Sequence, residues 1–251
     1  PRWGLHMPKR IIYCFTLLLI SLNLNAAQPD WDLYNELLQR YVIKKTVNKI
    51  PLNYVKYQAL FNDANFKKVV ETIETFPTDT LITQKEKLSF YINAYNIFAM
   101  KVVHDHWPLK SIKDAGSWFN PVWQKTAGII NGKEISLDEI EHKILRPLGE
   151  PRIHFAIVCA SLSCPDLRNE AFNTSQLDKQ LNDQVQIFLQ NPQKGLRINN
   201  DTAEVSKIFD WFEDDFKSQG GVKSFIKKHL PHSTFKHIDP DLPYDWSLNG
   251  A

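Results

Sequence analysis

The chain has 251 residues, 43% of them hydrophobic and 12% aromatic, with 30 basic and 28 acidic side chains and a net charge of +2. This is globular composition, long enough to bury a full core in one large domain or two small ones. No block of five like charges occurs, which argues against the clustered Lys and Arg of a nucleic-acid footprint, and no nucleic-acid partner is expected.

The first signal along the chain is a leader. Residues Pro1 to His6 precede a plausible initiator, Met7, and are set aside. Lys9 and Arg10, the apolar run Ile11 to Leu22 and the small residues before Gln28 are the parts of a secretory signal peptide over 7–27, cleaved after Ala26 or Ala27. The run falls short of the roughly 20 residues a bilayer span needs, so no stable transmembrane segment is expected after cleavage. An uncleaved anchor is the alternative. A periplasmic or secreted protein is expected, with residues 28–251 as a single domain. Cys14 goes with the leader, leaving Cys159 and Cys164. Two cysteines close in sequence in an oxidising compartment form a disulfide by default.

Asp30 to Ile43 reads as a first helix and Leu52 to Tyr57 as a short alternating strand. Asn62 to Phe76 reads as a helix that stops before Pro77. Thr83 with Glu86 makes a capping box that opens a long helix to about His104, ahead of Pro108. Asn131-Gly132 between apolar runs predicts a hairpin. Ser136 with Glu139 is a second capping box, opening a helix that ends at Pro147. Ile153 to Cys159, continuously apolar, reads as a buried strand. Ser175 to Gln190 is helical up to Asn191-Pro192, and Gly195 to Ser206 predicts a second hairpin turning at Asn200-Asp201. Helices follow around Phe209 to Phe216 and Val222 to Leu230, and the tail offers a last strand. The pattern is α+β, with helices packed around a small mixed or antiparallel sheet with two hairpins.

Two polar residues interrupt apolar helix faces. Glu141 lies within the stripe Leu137, Ile140, Ile144, Leu145 and Leu148, flanked by His142 and Arg146. A carboxylate there costs several kcal/mol unless paired or protonated. It is either a structural ion pair, with Arg152 a candidate partner, or a group that orients a histidine or acts as an acid or base. On the long helix Asn96 projects into Ile92, Tyr95, Ala99, Met100 and Val103, with Asn93 one turn earlier. Such a buried amide either ties the helix to a neighbouring loop or orients an imidazole or a substrate carbonyl.

Five stretches occur in order: FYINAYN from Phe90, SLDEIEHKILR from Ser136, EPRIHFAIVCASLSCPDL from Glu150, SKIFDWFEDDF from Ser206 and YDWSLN from Tyr244. Together they resemble the family known as domain of unknown function 547, over roughly Leu52 to Asn249. The resemblance implies one domain and marks Asn93, Asn96, Glu141, His142, Arg152, His154, Cys159 and Cys164 as motif positions. It implies no activity. Many bacterial members of that family carry a leader peptide.

The stretch HFAIVCASLSCPD, His154 to Asp166, admits three chemistries. Cys159 and Cys164 are close enough in sequence to form a short disulfide that fixes the loop. Alternatively, Pro165 at a first helical position would make Cys164 an N-cap thiolate and nucleophile. His142 would be its base and Glu141, Asn93 or Asn96 the orienter. By strand period His154 and Cys159 face opposite ways, which disfavours their pairing. Thirdly, His142, His154, Cys159 and Cys164 make a metal set whose spacing fits no familiar zinc pattern. The leading expectation is a thiol-dependent hydrolase or transferase acting on an amide, peptide or thioester bond of a small-molecule or envelope substrate. Arg152, His154, Ser161 and Ser163 would bind that substrate, and no cofactor is expected. The runner-up is a non-catalytic binding or scaffold module stapled by Cys159 and Cys164.

Overall fold

The structure is a computed structural model that describes residues 28–251, so the expected leader at 7–27 lies outside the described residues. It opens with α1 (Asp32–Tyr41), which runs directly into the hairpin β1 (Val42–Val47) and β2 (Ile50–Val55). Its two turn residues, Asn48 and Lys49, both adopt positive φ, as tight two-residue hairpins require. Two helices, α2 (Tyr57–Phe61) and α3 (Asn65–Thr75), lead to the long α4 (Gln84–Asp105).

The α4 N-terminus carries the expected capping box. Thr83 Oγ1 accepts from the Glu86 amide, and Glu86 accepts from the Thr83 amide. A single buried stripe is expected from the wheel, but α4 is enclosed nearly all round, with Phe90, Ile92, Ile97, Phe98 and Val103 fully buried. It is the axis of the largest of three hydrophobic clusters among the described residues, covered by α3 and by β3 (Thr126–Ile130). Strand β3 pairs with β4 (Lys133–Ser136) through Asn131-Gly132, both at positive φ.

Beyond β4, Ser136 and Glu139 form the second capping box, yet the segment Glu139–Leu145 winds as a π-helix, its Arg146 amide bonding back to Glu141 oxygen. A 3₁₀ turn, Arg146–Leu148, closes it at Gly149 in the left-handed conformation. The expected strand over Ile153 to Cys159 is absent. Pro151–Phe155 is a 3₁₀ turn started by the Glu150 carboxylate on the Arg152 amide, and the chain then runs irregularly through the core. It needs no strand neighbour because Asn96 serves as one. The Asn96 amide donates to Ala156 oxygen and accepts from the Val158 amide.

No helix starts at Pro165 either, so Cys164 is not an N-cap and the helix-dipole argument for its thiolate fails. The chain next forms α5 (Leu177–Leu189), the hairpin β5 (Leu196–Asn199) and β6 (Thr202–Val205), and the short α6 (Ile208–Trp211). A 3₁₀ segment, Glu213–Gln219, α7 (Gly221–His229) and β7 (His237–Asp239) complete it, β7 lying parallel to β6. Among the described residues the architecture is α+β as expected, with strands in three small sheets and one hairpin more than the sequence indicates. A second hydrophobic cluster, built on Phe155, Phe188, Phe209, Phe216 and Phe225, packs under α7. Among the described residues no helix is long and apolar enough to cross a membrane.

Candidate functional site

The π-helix decides where Glu141 goes. Its wider turn keeps Ile140 and Leu145 in the core while Glu141 enters a cavity of about 290 Å³, its side chain only 13% exposed. π-turns of this kind are frequent at functional sites. Burial raises the Glu141 carboxyl from 4.5 to about 7; Arg146 opposes the rise, and Asp138 and Asp215 reinforce it. At neutral pH this group is present both with and without its proton, the condition a general acid or base needs.

Opposite it stands His154, whose side chain is 1% exposed. Nε2 lies 2.7 Å from Asp215 Oδ2, and Nδ1 lies 3.9 Å from Glu141 Oε1. Arg146 grips Asp215 with two hydrogen bonds, Nε to Oδ2 at 2.7 Å and Nη2 to Oδ1 at 2.8 Å. Bonds from His154 and Arg146 hold the Asp215 carboxyl well below the usual range. Desolvation pushes His154 down, and only partly is this offset by Asp215. Arg146 keeps Asp215 ionised, and its own charge adds to the desolvation that disfavours the imidazolium, so the imidazole is held toward its neutral form. An ionised carboxylate only accepts, which puts the proton on Nε2 and makes Nδ1 an acceptor. Nδ1 is buried and has no hydrogen-bond partner within the described structure. The ring is further fixed by stacking on Phe212, centroids 4.0 Å apart.

The far wall is the cysteine loop and the C-terminal tail. Cys159 and Cys164 lie at disulfide distance, with Cα atoms 6.1 Å apart. Between them Ala160 adopts a φ of 56°, a conformation that costs a residue with a Cβ about 1–2 kcal/mol. The tail holds the loop from outside. Asn249 donates to Ala160 oxygen, Leu162 to Ser247 oxygen and Ser163 to Asp245 oxygen. From inside, the buried Lys194 ammonium bonds Cys164 oxygen at 2.8 Å and Asp166 at 2.6 Å. This docking brings Tyr244 and Trp246 to the cavity, where Tyr244 Oη lies 3.3 Å from Cys164 Sγ and 3.5 Å from Cys159 Sγ. Trp246 packs on Trp123, Trp211 and Tyr244 to form an aromatic wall.

Of the residues expected at a site, Glu141, His142, His154, Cys159 and Cys164 do converge on this cavity. The histidine roles differ from expectation. His142 is part-exposed, with one nitrogen 3.0 Å from an Arg146 nitrogen and the other facing Asp138 at 3.6 Å, beyond hydrogen-bond distance, whereas His154 is buried with Nδ1 unpartnered. His154 and Cys159 line the same cavity, because the segment joining them is no strand. Asn93 and Asn96 lie away from the cavity, spent on the backbone of Phe172 and of Ala156 and Val158. Arg152 binds Glu150, Asp178 and Asn182, not Glu141. Ser163 accepts from the Asp245 amide, and Ser161 sits 3.3 Å from Cys159 Sγ. His142, His154, Cys159 and Cys164 do not form a metal-ligating group; among the described residues no three His, Cys, Asp or Glu side chains do.

No role for Asp215, Asp138 or the aromatic wall is legible in the sequence, which marks Arg146 only as a flank of Glu141. Asp215 and Trp211 do fall within the SKIFDWFEDDF stretch, and Tyr244 and Trp246 within YDWSLN, and Asp215 sits beside Phe212 and Phe216 on one helical face. A larger groove of about 860 Å³ between the β1–β2 hairpin and α5 holds no histidine or cysteine. The model of the family described as protein of unknown function, DUF547, matches residues 80–189, which contain Glu141, His154 and both cysteines. No curated protein and no solved structure matches the chain.

Proposed function

We propose that the aromatic pocket of this chain, whose residues 80–189 match the DUF547 family model, is a general acid–base site for acyl chemistry on a small substrate. The supporting observation is the buried His154, with one ring nitrogen on Asp215 and the other facing Glu141 across 3.9 Å. In this reading Nδ1 takes a proton from water or from a substrate nucleophile as it attacks an amide, peptide or thioester carbonyl. Asp215 stabilises the imidazolium that forms. Glu141, in its protonated form, returns a proton to the leaving group and is recharged from His154, so the cycle closes. Acid–base assistance of this kind is worth about 10²–10⁴-fold. The leader read over 7–27 supports export, which puts envelope peptides among the substrates.

The thiol-dependent alternative rests on Cys159 and Cys164 lining the same cavity. A bonded pair is no nucleophile, so that alternative requires reduction first. A panel of short acyl anilides, esters and thioesters separates the two. Turnover should appear without reductant, resist iodoacetamide, and fall about 100-fold or more in His154→Gln and Glu141→Gln. Turnover that needs reductant and is abolished by iodoacetamide would transfer the nucleophile to a cysteine. Variants as active as the wild type would remove His154 and Glu141 from the chemistry.

A further inference from the structure

The two polar groups that face each other across the pocket, His154 Nδ1 and ionised Glu141, are both acceptors. Nδ1 of His154 is an acceptor, nine-tenths or more buried and without a partner, and it faces a carboxylate. The 3.9 Å between Nδ1 and Glu141 Oε1 is a span that a single donor atom, roughly 2.8 Å from each, bridges. The charge count points the same way. Arg146 is committed to Asp215 by two hydrogen bonds, while the ion-pair contacts of Glu141 and Asp138 are with His154 and His142 alone. Among the described residues neither carboxylate has a Lys or Arg partner within ion-pair distance. The wall beside them is made of π-faces, and one of these already holds a cation. The Lys113 ammonium sits 3.6 Å from the centroid of Trp246. Carboxylates together with indole faces are the chemistry that holds organic cations.

Resting on the acid–base reading of this pocket, we infer that its ligand is a small organic amine. Its protonated nitrogen donates to Glu141 and His154, and its apolar body lies against Trp211 and Tyr244. A cavity of about 290 Å³ suits a molecule of one ring and a short side chain, at the low end of ligand-site sizes. For an acyl-transfer site, the amine is the half of an amide that leaves or attacks. On attack the ammonium first passes one proton to ionised Glu141 and a second to His154 Nδ1 as the C–N bond forms, and Glu141 returns its proton to the leaving group. In the reverse sense Glu141 supplies the proton that the departing nitrogen takes.

Tryptophan fluorescence of the full chain reads the binding directly, since Trp123, Trp211 and Trp246 surround the cavity. Four probes are titrated at pH 8, where Glu141 is ionised: benzylamine, benzyltrimethylammonium, benzyl alcohol and benzoate. Benzylamine should bind saturably, about tenfold or more tighter than benzyl alcohol, because a charge-assisted hydrogen bond is lost in the alcohol. Benzyltrimethylammonium keeps the charge but has no donor for Nδ1 and should fall between them; benzoate should not bind. Glu141→Gln should bring benzylamine down to the alcohol, and Asp138→Asn, further out, should weaken it less. Circular dichroism checks that both variants fold. Benzoate or the alcohol binding as tightly as benzylamine would overturn the inference, as would benzylamine binding unchanged in both variants. If no probe binds while acyl substrates turn over with the His154 and Glu141 dependence given above, the amine assignment fails and the acid–base reading stands.

Discussion

Replacing Glu141 with Gln should stabilise the protein at alkaline pH and change nothing near pH 4. Burial lifts this carboxyl from 4.5 to about 7, so between those values the folded state binds more protons than the unfolded one. Stability is then fully present below pH 4.5 and falls as pH rises to 7. At 1.36 kcal/mol per pH unit the interval corresponds to about 3 kcal/mol. His154 works in the opposite sense, because its folded value is lowered by burial: the stability it withholds below its ordinary value returns as pH rises. Wild-type curves mix the two, so the informative quantity is the difference between Glu141→Gln and wild type. Urea unfolding at half-unit steps from pH 4 to 9 gives it, with equal slopes confirming that only stability changed. The difference should grow by about 3 kcal/mol from pH 4.5 to 7 and then level off. A difference that stays flat would show that Glu141 is hydrated or paired, and the burial argument would be wrong.

Three further outcomes follow from the same contacts. Nitrogen NMR of the His154 ring at pH 6.5 should show a mostly neutral imidazole with its proton on Nε2, and Asp215→Asn should disturb that tautomer; a ring mostly charged at this pH contradicts the site geometry. Asn96→Ala should cost about 2–4 kcal/mol in chemical unfolding, since it orphans Ala156 oxygen and the Val158 amide together, and a loss under 1 kcal/mol would mean the segment is held elsewhere. Cys159→Ser with Cys164→Ser should lose only about 2 kcal/mol, the value for so short a loop, and remain folded because the tail and Lys194 still hold it; a protein unfolded at 25 °C refutes that assignment of anchors.

What the sequence reveals here is local chemistry. The Thr83–Glu86 and Ser136–Glu139 boxes and the Asn131-Gly132 turn are decided by residues within a few positions, and all three occur. The first hairpin is invisible because Asn48-Lys49 has no glycine to announce its positive φ. Ile153 to Cys159 reads as a strand because a continuous apolar run is consistent with any buried conformation. Its true path is set by the Asn96 amide, about sixty residues upstream. The histidines divide in the same way. Pattern alone favours His142, which shares a helix with Glu141, but Arg146 takes up one of its nitrogens and Asp138 faces the other at 3.6 Å. His154 becomes the open ring through Asp215, 61 positions away, and no periodicity reports on that pairing.

The site lies on a seam. Ile153 belongs to the first hydrophobic cluster and Phe155 to the second, so His154, between them, is held by both. Glu141 rides on the first cluster through its neighbours Ile140 and Leu145. Asp215 rides on the second, next to Phe216. The 3.9 Å between Glu141 and His154 and the 2.7 Å between His154 and Asp215 therefore measure how the two clusters dock, not how any one element folds. A core change at Phe209 or Phe225 would move Asp215 without touching the cavity, so lost activity in such a variant is no proof of contact with substrate. The segment 80–189 that matches the family model holds Glu141, His154 and both cysteines, but not Asp215, Trp211, Tyr244 or Trp246. The matched segment therefore carries the facing histidine and carboxylate, while the group that sets the tautomer and most of the aromatic wall come from outside it. The chemistry proposed here requires the second cluster and the tail as much as the matched segment.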